Sequence, residues 1–352
     1  MNYKKLIIFL IMAVTLQTAL FGQKPHRVGT TAANFLEYGF GAAGAAMGDA
    51  CVATSTDISA MYWNPAGMAF MQQSEAQMVY QPWIVDINTS FVAAGLVIPS
   101  IGTIGLGFIS VDYGEMDVTT VAMQEGTGET FSSSDYAISL SYARLLTEGF
   151  GFGISGKYIG SKIWHMQANA LAVDMGVVVR TYFFSRNNEL ENGLRLAMSI
   201  SNYGTRMKYD GIDLVQSIDI APDEDGNFEY VEGQYRLSEW ELPLIFRIGA
   251  SMVPYHTENQ RLVVAVDALH PNNNAESVNL GMQYELDIPS AGKFFLRGGY
   301  KALFMPESEY GLSLGAGMVK YLMNNLALKI DYAYRDLGLL GKVHSYSVGF
   351  LF

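Results

Sequence analysis

His344-Ser345-Tyr346-Ser347-Val348-Gly349-Phe350-Leu351-Phe352 ends the chain, and its alternation decides how the rest is read. Tyr346, Val348, Phe350 and Phe352 fall on one face of an extended segment. Ser345, Ser347 and Gly349 fall on the other, with Leu351 the exception. A water-facing sheet rarely carries such a pattern to its last residue, because the bulky face would be exposed and the unpaired edge would invite aggregation. A closed transmembrane barrel meets neither difficulty: its last strand pairs with its first, and the bulky face meets lipid. The same four residues are expected to be what the barrel-assembly machinery reads.

The other end agrees. Lys4 and Lys5 precede an apolar run from Leu6 to Leu16, and Gly22 stands before Gln23. Basic, apolar, then small residues is the layout of a secretory signal peptide. The run is too short to span a bilayer as a helix, which takes about 20 residues. Residues 1–22 are therefore expected to be a cleaved signal peptide. No cysteine lies near the cleavage region, so a lipid-anchored N-terminus is not expected. The expected location is a bacterial outer membrane, with its lipid as the solvent for the wall.

Composition narrows the class further. Of 352 residues 50% are hydrophobic and only 16% charged, against about 25% charged in average domains. Such a chain needs a very large core or a surface that does not face water. The net charge of −12 argues against a nucleic-acid partner, which requires a basic stripe. The single cysteine, Cys51, excludes an intramolecular disulfide framework.

Period-two alternation recurs down the chain. Tyr136, Ile138, Leu140 and Tyr142 alternate with Ala137, Ser139, Ser141 and Ala143. Phe294, Leu296 and Tyr300 oppose Lys293, Arg297 and Lys301, and Leu328, Ile330, Tyr332 and Tyr334 oppose Lys329, Asp331 and Arg335. Charge at alternate places is expected where that face lines a wet lumen. The uncharged stretch Ile87 to Val111 is broken by Pro99-Ser100-Ile101-Gly102, a turn signal, and reads as a hairpin. Strands are expected near 75–83, 88–98, 102–113, 134–146, 149–162, 168–184, 192–203, 238–253, 259–269, 275–287, 292–304, 309–322, 325–336 and 343–352. The fold class is all-β: a transmembrane antiparallel β-barrel of about 14 strands over residues 73–352. The even count suits a barrel with both ends on the periplasmic side.

Residues 29–72 do not alternate. Gly48 and Asp49 lie in a run of small residues from Gly41 to Ala50. Asp57 precedes Ile58-Ser59-Ala60-Met61 in the manner of a helix N-cap. Trp63, Asn64, Pro65, Ala66 and Gly67 form a turn of restricted shape, since Pro sets its own φ and limits Asn64. A compact element too small to fold alone, ahead of a barrel, is expected to be a hatch or plug within residues 23–72.

These residues resemble a known family. Gly44-Ala45-Ala46-Met47-Gly48-Asp49-Ala50, Ala53, Asp57 and Tyr62-Trp63-Asn64-Pro65-Ala66-Gly67 are similar to the N-terminal signature of the PorV/PorQ outer-membrane proteins. Further matches are Asp267-Ala268-Leu269-His270-Pro271-Asn272, Glu276 to Tyr284, Arg297-Gly298-Gly299-Tyr300, Asp331-Tyr332-Ala333-Tyr334, Leu340-Gly341 and His344. The wider relatives are the FadL-like fatty-acid channels, which carry a similar Asn-Pro-Ala turn in their hatch. The resemblance implies a FadL-like barrel with an N-terminal hatch and no enzyme activity. It also implies a component of type IX secretion, whose partners are secreted cargo or secretion-system subunits. The alternative is a FadL-like channel for hydrophobic ligands such as long-chain fatty acids. A lumen crossed by paired charges would favour a partner platform, and a continuous apolar pocket would favour transport.

No catalytic, cofactor or metal constellation is found. The histidines at 26, 165, 256, 270 and 344 have no metal-ligand spacing. Asp223-Glu224-Asp225-Gly226-Asn227 lacks the ligand spacing of a calcium loop. The acidic stretch 210–241 reads as a solvated outer loop, with docking of a secreted partner as the competing reading.

Overall fold

The computed structural model describes residues 27–185, 187–224, 231–289, 291–323 and 325–352. The expected signal peptide lies outside them, as do Asp225 and Glu229 of the acidic stretch. The wall begins with β1 (Glu75–Pro82), β2 (Asn88–Ile98), β3 (Gly102–Asp117), β4 (Thr130–Thr147) and β5 (Phe150–Ile163). It continues through β6 (Met166–Arg180), β7 (Arg195–Gly204), β8 (Ile245–His256), β9 (Gln260–Pro271) and β10 (Ser277–Ile288). The last four are β11 (Gly292–Leu303), β12 (Leu312–Met323), β13 (Leu326–Asp336) and β14 (Lys342–Leu351). The 15-stranded sheet includes the two-residue Asp210–Gly211, paired only with β6. Without it, the described residues form a closed antiparallel ring of 14 strands, each beside its chain neighbours.

The ring closes where the terminal pattern required. β1 pairs with β14 from Glu75 opposite Leu351 to Tyr80 opposite Tyr346, and the Phe352 N–H donates to the Ser74 carbonyl at 2.9 Å. Tyr346, Val348, Phe350 and Phe352 are exposed on the outer face, while Ser345 and Ser347 are buried inside. Thirteen other strands repeat the arrangement because the pleat allows only two directions. Leu106, Leu140, Leu171 and Leu296 are among the outward groups, which lipid solvates.

Two strands are shorter than the alternation suggested. β6 stops at Arg180, and Thr181–Leu194 makes a turn carrying exposed Tyr182, Phe183 and Phe184. β8 begins only at Ile245, because Pro243 has no N–H to give a ladder; ahead of it, Trp240 pairs with Met207 in an isolated bridge. The side shared by the chain ends also carries the turns 99–101, 148–149 and 257–259. Long connections 118–129 and 205–244 lie opposite, so short turns mark the periplasmic side. The 205–244 connection contains a small hairpin, Val215–Ile218 with Val231–Gln234.

The interior is filled by the N-terminal segment. It forms 3₁₀ turns at Asn34–Glu37 and Pro65–Phe70 and two short helices, α1 (Ala42–Ala46) and α2 (Ala60–Trp63). Phe35, Phe40, Met47, Ile58, Met61 and Met68 pack against Val79, Phe91, Ile109, Val111 and Ile159 of the wall. The hydrophobic core thus sits between segment and wall. Isolated helices this short are unstable in water, so packing inside the ring is what holds them.

Candidate functional site: the seam between the N-terminal segment and the wall

At the seam the segment is attached by ion pairs and by close backbone contact. Gly48 and Asp49 both adopt positive φ, 61° and 64°. Glycine is required at 48 for a second reason: a Cβ there would lie 2.6 Å from the Tyr300 backbone nitrogen. The turn aims the Asp49 carboxylate outward at the wall. Its Oδ1 accepts from Arg335 Nη2 at 3.0 Å, and its Oδ2 lies 2.6 Å from Lys301 Nζ. Arg335, at 1% exposure, also donates to the Tyr38 carbonyl at 3.0 Å. One carboxylate of the segment therefore pairs with a cation on β11 and with another on β13.

A second cluster lies around Asp57. The expected helical turn forms, but α2 begins at Ala60 and no side chain caps it. Asp57 Oδ1 instead accepts from the Ser59 N–H at 3.1 Å, and its other oxygen pairs with Lys329. Lys329 also bonds Glu75 Oε1 at 3.1 Å, and Glu75 Oε2 accepts from the Ile58 N–H at 3.1 Å. Burial pushes the Asp57 carboxyl up, but the Lys329 ammonium and the Ser59 hydroxyl outweigh it and hold it below the ordinary carboxylate range.

The Trp-Asn-Pro-Ala turn docks against β5 and β6. Asn64 Oδ1 accepts from the Ala66 N–H at 3.1 Å. Its Nδ2 donates to the carbonyls of Val52 at 3.0 Å and Val177 at 3.2 Å. Pro65 starts the 3₁₀ turn, where its missing N–H costs nothing. A Cβ on Gly153 would sit 2.3 Å from the Pro65 carbonyl carbon, so β5 must present bare backbone there. Ala66 is fully buried. Gly67 fits against the Ser55 carbonyl, which a Cβ would approach to 2.2 Å. Trp63 is buried edge-on to Tyr62, with ring centroids 4.8 Å apart.

Several seam contacts join residues that the sequence pattern names without pairing them. Asp267 Oδ2 accepts from the Val52 N–H at 2.8 Å, and Ser347 Oγ accepts from the Ala42 N–H at 2.9 Å. Within the wall, Lys157 pairs with Asp174 at 2.5 Å and Arg297 with Asp331 at 2.6 Å. The clue was present as a charge at every second place in an apolar strand. The expectation of a wet lumen is met only in part, however. These side chains do face inward, but Lys157, Lys301, Lys329 and Arg335 are buried and paired. Among the described residues, a cavity of about 620 Å³ opens toward the periplasmic end. Arg180, Glu191, Arg195, Glu285, Lys293 and Arg297 are among its lining residues. Among the described residues, no group of His, Cys, Asp and Glu is placed to hold a metal ion.

A closed antiparallel wall with lipid-facing bulk and a buried N-terminal segment defines a FadL-like outer-membrane barrel. The structure is similar to the toluene transporter TodX of P. putida (TM-score 0.55, 10% identity, covering 89% of this chain and 96% of that one). It is also similar to the Ralstonia pickettii toluene transporter TbuX (0.53, 11%, 89% and 97%). A Pseudomonas aeruginosa FadL homologue aligns with a TM-score of 0.50 at 12% identity, over 88% and 97%. At such identities the likeness shows the fold alone. A comparison with curated proteins gives no match. The family described as type IX secretion system protein PorV matches residues 21–237. The chain belongs to that family of outer-membrane barrels.

Proposed function

We propose that the protein works in type IX secretion as a closed platform, binding protein partners rather than passing solutes or catalysing a reaction. In this reading residues 29–72 are a hatch that stays in place, and the loops opposite the periplasmic turns meet secreted cargo or other secretion-system subunits. The single observation that carries it is the character of the lumen. Asp49 joins the hatch to Lys301 and Arg335, and Asp57 joins it to Lys329. A hydrophobic solute would have to replace these pairs with unpaired buried charge, at about 3–5 kcal/mol for each broken pair. Loop 205–244 offers Ile212, Ile220, Tyr235 and Trp240 as exposed apolar groups beside acidic ones, a mixture suited to a protein surface.

Deleting the protein tests the reading. The surface-displayed proteome should lose secreted proteins while uptake of labelled long-chain fatty acid and toluene stays at the parental rate. Loss of uptake with surface display intact would overturn it in favour of a channel.

A further inference from the structure

The inward cations Lys157, Arg297, Lys301, Lys329 and Arg335 each meet a carboxylate closely, whereas three arginines at the periplasmic end do not. Arg180 ends β6, Arg195 begins β7 and Arg261 lies at the start of β9, so all three rise from the rim that carries the short turns. Arg195 Nη2 and Arg261 Nη2 donate to one acceptor, the Glu191 carbonyl, at 3.0 and 2.7 Å. The Glu191 carboxylate stands 4.0 Å from Arg180 Nη1 and is 59% exposed. Three guanidinium groups thus converge on one weakly engaged acid. The Nε atoms of Arg180, Arg195 and Arg261 are buried without a hydrogen-bond partner among the described residues. Arg195 is only 8% exposed.

Buried donors of a charged group are costly to leave unmade, and three like charges repel. Both penalties are relieved by an anion. The three arginines line the same cavity of about 620 Å³. Phe70 of the N-terminal segment lies flat under Arg180, 3.7 Å from ring centroid to guanidinium carbon, which holds that side chain toward the cavity. A guanidinium offers a rigid fork of donors suited to phosphate. Donors arriving from three strands match a tetrahedral oxyanion better than a planar carboxylate. The location is notable on a chain of net charge −12, whose remaining field would otherwise repel anions.

We propose that Arg180, Arg195 and Arg261 form a periplasm-facing binding site for a phosphate-class oxyanion, either free or carried by a lipid headgroup.

Calorimetric titration of the full barrel in neutral detergent at low salt tests this. One arm uses inorganic phosphate. The other uses micelles doped with lysophosphatidic acid, with monoacylglycerol of the same chain as control. Wild type should bind at least one phosphate-bearing probe saturably, and Arg195→Gln and Arg261→Gln should each bind it at least tenfold more weakly. Binding of inorganic phosphate identifies the free ion as sufficient; binding of the lipid alone identifies the headgroup. Failure of both probes to bind, equal binding by monoacylglycerol, or Gln variants that bind like wild type would overturn the proposal. Should the variants not fold, thermal unfolding of wild type decides. Phosphate or lysophosphatidic acid should raise its midpoint saturably, at concentrations too low for general salt effects, where chloride and monoacylglycerol do not, and no such rise from either phosphate-bearing probe would overturn the site.

Discussion

Strand β13 meets two different solvents on its two faces. Outward, Leu328, Ile330, Tyr332 and Tyr334 form an apolar row, and lipid asks of such a row only that it be apolar. Inward, Lys329, Asp331 and Arg335 each have a named partner: Asp57 with Glu75, Arg297, and Asp49 with Tyr38. The outer face is specified as a class of side chain and the inner face pair by pair. Substitutions within a class should therefore be tolerated outside and damaging inside, since a buried charge deprived of its partner has no water to turn to.

The largest test removes the most shared partner. Asp49→Ala leaves Lys301 and Arg335 without their carboxylate, and should cost about 3–5 kcal/mol at the seam. The readout is protease cleavage within residues 27–72 of the folded barrel, which should rise sharply. Unaltered cleavage would mean that the inner face is no more particular than the outer. Next comes a charge on the outside. Ile330→Lys, at a residue 40% exposed on the lipid face and central in β13, should cost about 2–4 kcal/mol in reversible folding into vesicles. Ile330→Leu should cost almost nothing, and a large loss there would blur the distinction. The smallest effect is expected from Asn64→Ala, which strands the Val52 and Val177 carbonyls and the Ala66 N–H. About 1–3 kcal/mol is expected for an unsatisfied buried group, read as faster amide exchange at Ala66 with the barrel itself still resistant to heat in gels.

Much of the wall was legible because lipid imposes one rule on every strand. Each strand of the expected fourteen has its counterpart, and β2 matches to the residue. The misplacements have local causes. The alternation through Tyr182-Phe183-Phe184 mimics a strand, yet the Thr181 N–H and hydroxyl both donate to the Leu194 carbonyl, at 3.0 and 2.9 Å, and turn the chain out of the wall. Pro243 silences a ladder position ahead of β8. In the N-terminal segment the small residues and the Asn-Pro turn marked an element apart from the wall. They did not say which cation would meet Asp49, since Lys301 and Arg335 are more than 250 positions away and nothing in their local pattern distinguishes them from other inward charges. Gly153 was equally opaque, being one of several strand glycines until Pro65 is seen lying on it.

Alternation of side chains along each extended segment was enough to determine the class of fold, the direction of its apolar face and the separateness of residues 29–72, because a two-fold pleat carries that information locally. Tertiary structure alone decided that Asp49 and Asp57 meet Lys301, Arg335 and Lys329 in buried pairs, and that three arginines at the periplasmic mouth gather around one weakly engaged acid. The partner of a buried charge is a matter of proximity in space, which closure of the ring creates between residues the chain keeps far apart.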